Sequence, residues 1–282
     1  MHMIVCIKQV PDASEVKIDP ETGTLIRSGV PSIVNPYDSH ALEAAVRIKK
    51  EQGGRVTAIS MGPPQAVEAL RRAVAFGVDD AVLLTDRAFA GSDTLATSYV
   101  LAQAIRRVEE SYGRADLVFC GKEAIDGDTG QVGPGVSTRL GFAQLTYVVE
   151  IQEVLPKEGI IRAWRDVGTG RELVEAKLPA LLTVTDQINE PHYASLPNMI
   201  RAARYEVAHW GKDDIELDLS ECGLKGSPTK VAKVFTPKVK VKRDTDFLDE
   251  AGGDVKQAAE FLAQRLLDKG VVGGEEVELV GS

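Results

Sequence analysis

The first half of the chain alternates short runs of β-branched and apolar residues with longer segments in which apolar residues recur every three or four positions. The short runs predict buried strands, and the longer segments predict amphipathic helices. Because strands that alternate with helices form a parallel sheet covered by those helices, the pattern predicts an α/β fold. Right-handed crossovers make such a sheet doubly wound and mostly parallel, with its ligand crevice beyond the carboxyl ends of the strands.

The same pattern predicts the positions of the individual elements. Strands are predicted at 3–7, 56–60, 81–84, 117–120 and 145–149, and helices at 41–51, 65–76 and 94–110. Asp38 and Pro64 are typical start signals for the first two helices, and Ser92 or Asp93 can cap the third. A hairpin is predicted at 17–27, around a turn at Glu21-Thr22-Gly23.

The second half of the chain has a different sequence pattern. Strand-like pieces at 160–164, 173–176 and 180–185 and a helical stretch at 196–204 are interpreted as the far side of the same domain. An acidic piece at 213–218, a basic stretch from Lys230 to Arg243 and an amphipathic helix at 255–267 follow. These last segments contain too little apolar material to fold independently. We therefore predict an α/β domain at 1–210 and an arm at 211–282 that lies on a partner or on the domain.

Charge and cysteine usage exclude several classes of protein. The formal net charge of −9 disfavours nucleic acid as a partner, since phosphate is repelled. The three cysteines, Cys6, Cys120 and Cys222, have neither the spacing of a zinc or iron-sulfur site nor the density of a disulfide scaffold, which favours a cytoplasmic location. The chain has no export signal and no run of about 18 apolar residues, so membrane insertion is not expected.

The most informative run follows the strand predicted at 117–120. Residues 121–134 read GKEAIDGDTGQVGP, which combines four glycines with a hydroxyl, the two aspartates Asp126 and Asp128 and a helix start near Gln131. Glycines let a backbone approach a ligand closely, and free amides at a helix start attract phosphate. A tight strand-to-helix turn favours the same residues. The position at the carboxyl end of a predicted strand favours a nucleotide site.

Two further loops are predicted at the same edge of the sheet. Residues 35–38 read NPYD and residues 60–64 read SMGPP. Each offers short polar groups for an adenine and ribose, although each alone also reads as a plain capping motif. The prediction of a nucleotide crevice depends on the three loops meeting at the same edge of the sheet.

Missing motifs limit what the nucleotide does. Glu123 stands where a Walker A loop needs Ser or Thr after Lys122, and no Gly-x-Gly-x-x-Gly follows the first strand. The four histidines lack metal-ligand spacing and a neighbouring nucleophile. For the carboxylates Asp126 and Asp128 we favour ribose hydrogen bonding or a turn over acid-base work. The sequence thus predicts a nucleotide that is held and not hydrolysed, and we name no catalytic side chain and no metal ligand.

Taken in order, these loops resemble the beta subunit of electron transfer flavoproteins. The resemblance covers 3–206 and includes Val5-Cys6-Ile7-Lys8, the loops at 35–38, 61–63 and 121–128, and a long stretch through Asn189-Glu190-Pro191-His192-Tyr193-Ala194-Ser195-Leu196-Pro197-Asn198. It implies a sheet of the adenine nucleotide alpha-hydrolase type and pairing with an alpha subunit that carries FAD. A nucleotide-hydrolysing or stress-type protein of related fold is the alternative from another class.

The resemblance also implies a cofactor in the crevice. Simpler members of the family hold structural AMP there, and electron-bifurcating members hold a second FAD. The loop resembles the bifurcating type, because Gly127 and Thr129 stand where simpler members tend to carry acidic or amide side chains. Thr94 and Thr97 are added because their helix should border the crevice, although they also suit capping or the surface. The predicted cofactor-binding residues are Cys6, Asn35, Pro36, Tyr37, Asp38, Met61, Gly62, Thr94, Thr97, Asp126, Gly127, Asp128, Thr129, Gln131, Val132, Gly133 and Pro134.

The implied activity is electron transfer through the flavin. NADH would be the electron donor, and the two electrons would divide between a ferredoxin or flavodoxin and, through the FAD of the alpha subunit, an acyl-CoA dehydrogenase type of partner. Leu196, Pro197 and Asn198 resemble the loop with which the family docks on the dehydrogenase, although a core leucine before a helix is the alternative. The family further suggests that the basic arm reaches across the alpha subunit.

Overall fold

A computed structural model describes residues 1–12, 17–18, 25–26, 31–230 and 254–272. The chain divides into two compact units, Met1–Val234 and Phe235–Ser282. The described residues of the first unit contain thirteen strands: β1 (His2–Cys6), β2 (Gln9–Pro11), β3 (Lys17–Ile18), β4 (Leu25–Ile26), β5 (Ser32–Val34), β6 (Arg55–Met61), β7 (Asp80–Leu84), β8 (Leu117–Gly121), β9 (Ala143–Leu155), β10 (Ile160–Asp166), β11 (Arg171–Lys177), β12 (Ala180–Val184) and β13 (Ala208–Trp210). Its α-helices are α1 (Pro36–Gln52), α2 (Val67–Phe76), α3 (Thr94–Tyr112), α4 (Val132–Leu140) and α5 (Leu196–Arg204).

Nine of these strands form one sheet in the order β11-β10-β9-β12-β8-β1-β6-β7-β13. Every pair from β9 to β13 in this order is parallel, and β10 and β11 extend the sheet as antiparallel strands. The chain runs from β1 outward to β6 and β7 and then returns to β8 on the other side of β1. The predicted doubly wound α/β fold is therefore confirmed, and the order reverses between β1 and β8.

Alternation along the strands divides the core into two layers. In β1, Met3 and Val5 pack with the apolar residues of α1 and α2, whereas Ile4 and Cys6 pack with those of α3 and α4. Successive strand residues point to opposite faces, so one apolar strand supplies both layers. All five residues of β1 are buried, as expected for the central strand of a sheet covered on both faces.

Two predicted elements need correction. Asp38 does not precede the first helix, because α1 begins at Pro36 and Asp38 is buried in its first turn. The strand predicted at 145–149 is the middle of β9, which spans 13 residues and pairs with both β12 and β10. Beyond Val149, apolar and polar residues alternate along β9, as is typical of an antiparallel strand with one solvated face. A search for continuous apolar runs does not detect this part of the strand.

The predicted hairpin and arm fall partly outside the described residues. Backbone pairing of β3 with β4 is antiparallel, as predicted, while the turn at 21–23 and the basic stretch at 231–243 lie outside the described residues. Residues 211–230 lie against the α/β core, because Ile215 and Cys222 are buried among residues of α3. The compact unit thus continues past residue 210, where the sequence predicts the arm to begin.

The second unit contains one described helix, α6 (Val255–Asp268). The Asp254 carboxylate caps it by accepting hydrogen bonds from the backbone amides of Lys256 and Gln257. Within the residues that the structure describes, none of the helices has the length and apolar character needed to traverse a lipid bilayer.

Candidate functional site

A cleft of about 1230 Å³ opens at the carboxyl ends of the central parallel strands. Cys6 of β1, Met61 of β6 and Cys120 of β8 line its inner part. The cleft lies where the strand order reverses, which is where open α/β sheets bind their ligands. The predicted residues that line it are Cys6, Asp38, Met61, Gly62, Thr94, Thr97, Gly127, Thr129, Gln131, Val132 and Gly133.

Asp38 joins the two strands on either side of the reversal. Its carboxylate accepts hydrogen bonds from the backbone amides of Lys8, at 2.7 Å, and Gly121, at 3.0 Å. Burial raises the pKa of Asp38 to about 7, against the opposing effect of hydrogen bonds from Asn35, Lys8 and Gly121. A Cβ at residue 121 would lie 2.5 Å from the Asp38 carboxylate, so only glycine allows this contact. The first turn of α1 is thereby fixed at the mouth of the cleft.

Asn35 lies behind the cleft and braces the glycine-rich loop. Its side chain is fully buried, donates a hydrogen bond to the carbonyl of Glu123 at 2.8 Å and accepts one from the amide of Ile125 at 3.2 Å. The Lys122 ammonium lies 4.7 Å from the centre of the Tyr37 ring. Asn35, Pro36 and Tyr37 therefore support the loop, and the cleft-lining residues do not include them.

The outer part of the loop carries the two carboxylates of the predicted site. Asp126 pairs with the Lys8 ammonium at 2.7 Å on a largely exposed surface, so the bond ties the loop to the end of β1. Asp128 has a φ of 47°, in the left-handed region where an L side chain is uncommon. Neither Asp126 nor Asp128 lines the cleft, and a contact of either with a ribose stays a prediction.

The amino end of α4 faces the cleft without a side-chain cap. Gln131, at the N-cap position, makes no capping hydrogen bond, and its Oε1 instead accepts one from Thr94 Oγ1 at 2.7 Å. Pro134 in the first turn has no amide hydrogen, so Val132 and Gly133 supply the first free amides, and both line the cleft. Uncapped amides and the partial positive charge of a helix start attract anions, so the chemistry of this end of the cleft suits a phosphate.

The amino end of α3 differs from that of α4. The Asp93 carboxylate accepts hydrogen bonds from the amides of Leu95 and Ala96 and one from Thr229 Oγ1 at 2.7 Å. These amides are therefore already satisfied, and the carboxylate adds negative charge. Thr94 and Thr97 consequently offer hydroxyls to the cleft rather than an anion site.

Sequence reasoning missed the far wall of the cleft. The segment after β7 contributes Arg87, whose guanidinium is the one positively charged side chain among the described lining residues of that segment. Thr229 closes the end of the cleft. The loop after β7 could have been found, because β7 ends at the same edge as β1, β6 and β8. Thr229 gave no signal, since it is far from every other lining residue along the sequence.

Leu196 is exposed and begins α5. Its side chain is 65% exposed, which excludes the alternative of a core leucine. The segment before it is held by α1: His192 Nδ1 hydrogen bonds to the Glu43 carboxylate, and His40 Nδ1 lies 2.9 Å from the carbonyl of Asn189. Pro197 and Asn198 continue the first turn of α5.

Comparison with known proteins identifies the family to which the chain is similar. A family model described as electron transfer flavoprotein domain matches residues 22–215. The chain is 48% identical over 271 residues to Protein FixA of Azorhizobium caulinodans, covering 95% of this chain and 96% of that protein. It is also 48% identical over 269 residues to the electron transfer flavoprotein subunit beta of Clostridium acetobutylicum, covering 95% of this chain and 99% of that protein.

The chain belongs to the electron transfer flavoprotein family. A second beta subunit, from Thermoanaerobacterium thermosaccharolyticum, is 47% identical over 277 residues and aligns over 96% of this chain and all of that protein. Because these beta subunits match nearly end to end, the chain corresponds to the beta subunit of an electron transfer flavoprotein. The family match includes the cleft-forming segments after β6, β7 and β8 and the start of α4, and it includes α5 with Leu196, whereas the end of β1 and Thr229 lie outside the matched residues. The resemblance to the beta subunit of electron transfer flavoproteins is confirmed.

Proposed function

We propose that this electron transfer flavoprotein beta subunit belongs to an electron-bifurcating complex and holds FAD in the cleft beside β1 and β8. The observation that carries the proposal is the size of the cleft, about 1230 Å³, because pockets for small ligands usually measure roughly 300–1,000 Å³. FAD is more than twice as large as AMP. A cleft lined by the start of α4, Met61 and Arg87 has room for the larger cofactor.

The lining residues suit the parts of such a cofactor. The uncapped amides of Val132 and Gly133 would hold a phosphate, and Arg87 and the hydroxyls of Thr94 and Thr129 would bind further polar groups. Cys6, Met61, Phe89 and Leu101 supply an apolar wall that excludes water. A Cβ at residue 127 would meet no atom within 4 Å, so Gly127 leaves the entrance open on the loop side.

When bound, FAD would supply the redox chemistry: two electrons from NADH, one for a ferredoxin or flavodoxin and one, through the FAD of an alpha subunit, for an acyl-CoA dehydrogenase type of partner. The task of this chain is to position the cofactor, neutralise its phosphates and shield it from water. It needs no acid-base side chain for this, and the carboxyl of Asp38 is engaged with backbone amides.

The deciding experiment is nucleotide extraction from the complex with its alpha subunit. We expect two flavins per heterodimer when the denatured complex is quantified by absorbance and chromatography. One flavin and one AMP per heterodimer would instead assign the simpler, non-bifurcating role in which the cleft holds structural AMP.

A substitution at Gly127 tests the position of the cofactor. Gly127→Gln places a longer side chain in the loop entrance, and we expect flavin binding in this cleft to weaken about tenfold, equivalent to about 1.4 kcal/mol. Gly170→Gln is the matched control, since a Cβ at residue 170 likewise meets no atom within 4 Å but lies in the turn after β10. Equal flavin content in the two variants would show that the loop does not border the cofactor.

A further inference from the structure

Two cysteines stand side by side in the floor of the cleft. Cys6 ends β1 and Cys120 lies one residue before the end of β8. The parallel register pairs Val5 with Phe119, so the next position places Cys6 beside Cys120. Both side chains belong to the core layer formed with α3 and α4, and both line the cleft. The two thiols therefore share one face of the sheet and border the same cleft.

The spacing of these strands brings the Cα atoms of the two cysteines into the range that disulfides span. Neighbouring strands lie about 4.7–4.9 Å apart, which falls within the range of about 4.4–6.8 Å that disulfides span between Cα atoms. The two thiols already interact. A hydrogen bond with Cys6 and, to a smaller extent, burial raise the pKa of Cys120.

We propose that Cys6 and Cys120 form a redox-active dithiol, which hydrogen peroxide converts into an intramolecular disulfide in the floor of the cleft. The Cys6 thiolate attacks peroxide, the O–O bond breaks, and Cys6 becomes a sulfenic acid as the first water leaves. The Cys120 sulfur then attacks the Cys6 sulfur, the S–O bond breaks, and the second water leaves. The two thiols lose two electrons and two protons in total, and one peroxide is reduced to two waters.

The bond should be readily reversed by a dithiol reductant. Registered side chains on neighbouring parallel strands keep roughly the strand separation of about 4.8 Å, whereas Cβ atoms in disulfides lie about 3.8 Å apart. The strands would have to be drawn together to close the bond, and strained disulfides have more oxidising potentials than relaxed ones. The pair thus has the chemistry of a reversible modification site.

Peptide mapping of the full-length chain tests the proposal. The purified chain, without added nucleotide, is treated with hydrogen peroxide, alkylated and digested with trypsin. Cleavage gives Cys6 in the peptide 1–8, Cys120 in 115–122 and Cys222 in 213–225. We expect peptides 1–8 and 115–122 to appear joined, lighter than their sum by two hydrogens, in most molecules. Treatment with dithiothreitol should restore both free peptides.

Cys222 provides the matched control. It is buried, its Sγ lies 3.4 Å from the carbonyl oxygen of Asp218, and it is not among the residues that line the cleft. Cys222→Ser should leave the 1–8 to 115–122 link unchanged, and Cys120→Ser should replace it with a sulfenic or sulfinic acid on Cys6. Free thiols at Cys6 and Cys120 in the peroxide-treated wild-type chain, or independent oxidation of the two without a link, would overturn the proposal.

Discussion

At the residue scale, the end of the central strand is held by a buried carboxyl, that of Asp38. Asp38 accepts amide hydrogens from Lys8 and Gly121, and through them it connects β1, β8 and the first turn of α1. Gly121 packs against it because there is no side chain to separate them. Both residues line the cleft, so their contact helps to set its shape.

The raised pKa of Asp38 predicts a pH-dependent stability. Burial raises it from 3.8 to about 7, so between these values the folded chain binds a proton that the unfolded chain has released. Stability from this group is present at low pH and is lost as pH rises towards 7. Between about pH 5 and about pH 8, the free energy of unfolding of the wild type should fall by roughly 3 kcal/mol more than that of Asp38→Asn.

Urea unfolding at the two pH values checks this difference. Asn cannot ionise, so the remaining pH dependence of Asp38→Asn reports every other titrating group. Parallel pH profiles for the wild type and the variant would show that Asp38 is ionised in the folded chain across this range.

Gly121 predicts a steric effect at the same point. Gly121→Ala places a Cβ 2.5 Å from the Asp38 carboxylate and 2.6 Å from Tyr37 Cβ, and overpacking of this kind lowers the free energy of unfolding by about 1–3 kcal/mol. Gly170→Ala, where a Cβ meets no atom within 4 Å, should change it by less than about 0.5 kcal/mol. Equal urea midpoints for the two variants would contradict the packing argument.

At the scale of elements, two helix starts border the cleft and differ in their caps. α3 is capped by Asp93, whereas the first amides of α4 face the cleft without a capping side chain. The hydrogen bond from Thr94 to Gln131 joins the two helix starts. One helix start is therefore structural, and the other is available to an anion.

The cap on α3 predicts a measurable loss of stability. Asp93→Ala removes hydrogen bonds to Leu95, Ala96 and Thr229 and should lower the free energy of unfolding by about 1–2 kcal/mol. Asp93→Asn keeps a capping oxygen and should lower it by less. Thermal melting of both variants beside the wild type gives the comparison, and identical melting temperatures for Ala and Asn would argue against the cap.

The exposed start of α5 predicts a separation of stability from electron transfer. Because Leu196 is 65% exposed, Leu196→Ala should change the free energy of unfolding by less than about 0.5 kcal/mol. If the segment docks on a dehydrogenase, as the family resemblance implies, electron transfer to that partner should fall about tenfold, while reduction of the flavin by NADH is unchanged. Val167→Ala, at another exposed apolar position, is the control and should affect neither rate. A parallel loss of both rates and of stability would indicate a core role.

At the scale of the whole molecule, the buried core lies in the first unit. Both apolar layers, from Met3 to Cys222, belong to Met1–Val234. The second unit, Phe235–Ser282, contributes α6, whose residues are not buried. We infer that residues beyond 230 serve association with the alpha subunit rather than folding of the α/β domain.

Deletion of residues 231–282 tests this division. The shortened chain should melt within a few degrees of the full-length chain, because it retains both core layers. Its association with the alpha subunit, followed by co-purification and sedimentation, should be weakened. A shortened chain that unfolds well below the full-length chain would assign residues 231–282 a role in the stability of the domain.

The sequence predicted the fold and the location of the site, and it was least accurate where burial decides the role of a residue. A carboxylate before an apolar run has the pattern of a helix cap, and only the packing around Asp38 shows that it is buried in the first turn and bound to two strands. Asn35 is a residue type that is common in ligand-binding loops, but its side chain supports the glycine-rich loop through a hydrogen bond to the Glu123 carbonyl. Residues that line the cleft and residues that support it therefore look alike in sequence.

By itself, the sequence determined the alternation of strands and helices, the loops at the carboxyl edge of the sheet and the family of the chain. Those features depend on local periodicity, turn chemistry and short motifs, which are written in consecutive residues. Only the tertiary structure decided that Cys6 adjoins Cys120, that Thr94 bonds to Gln131 and that Thr229 closes the cleft. Such contacts join residues distant in the chain, and they follow from strand order and packing, which local periodicity does not encode.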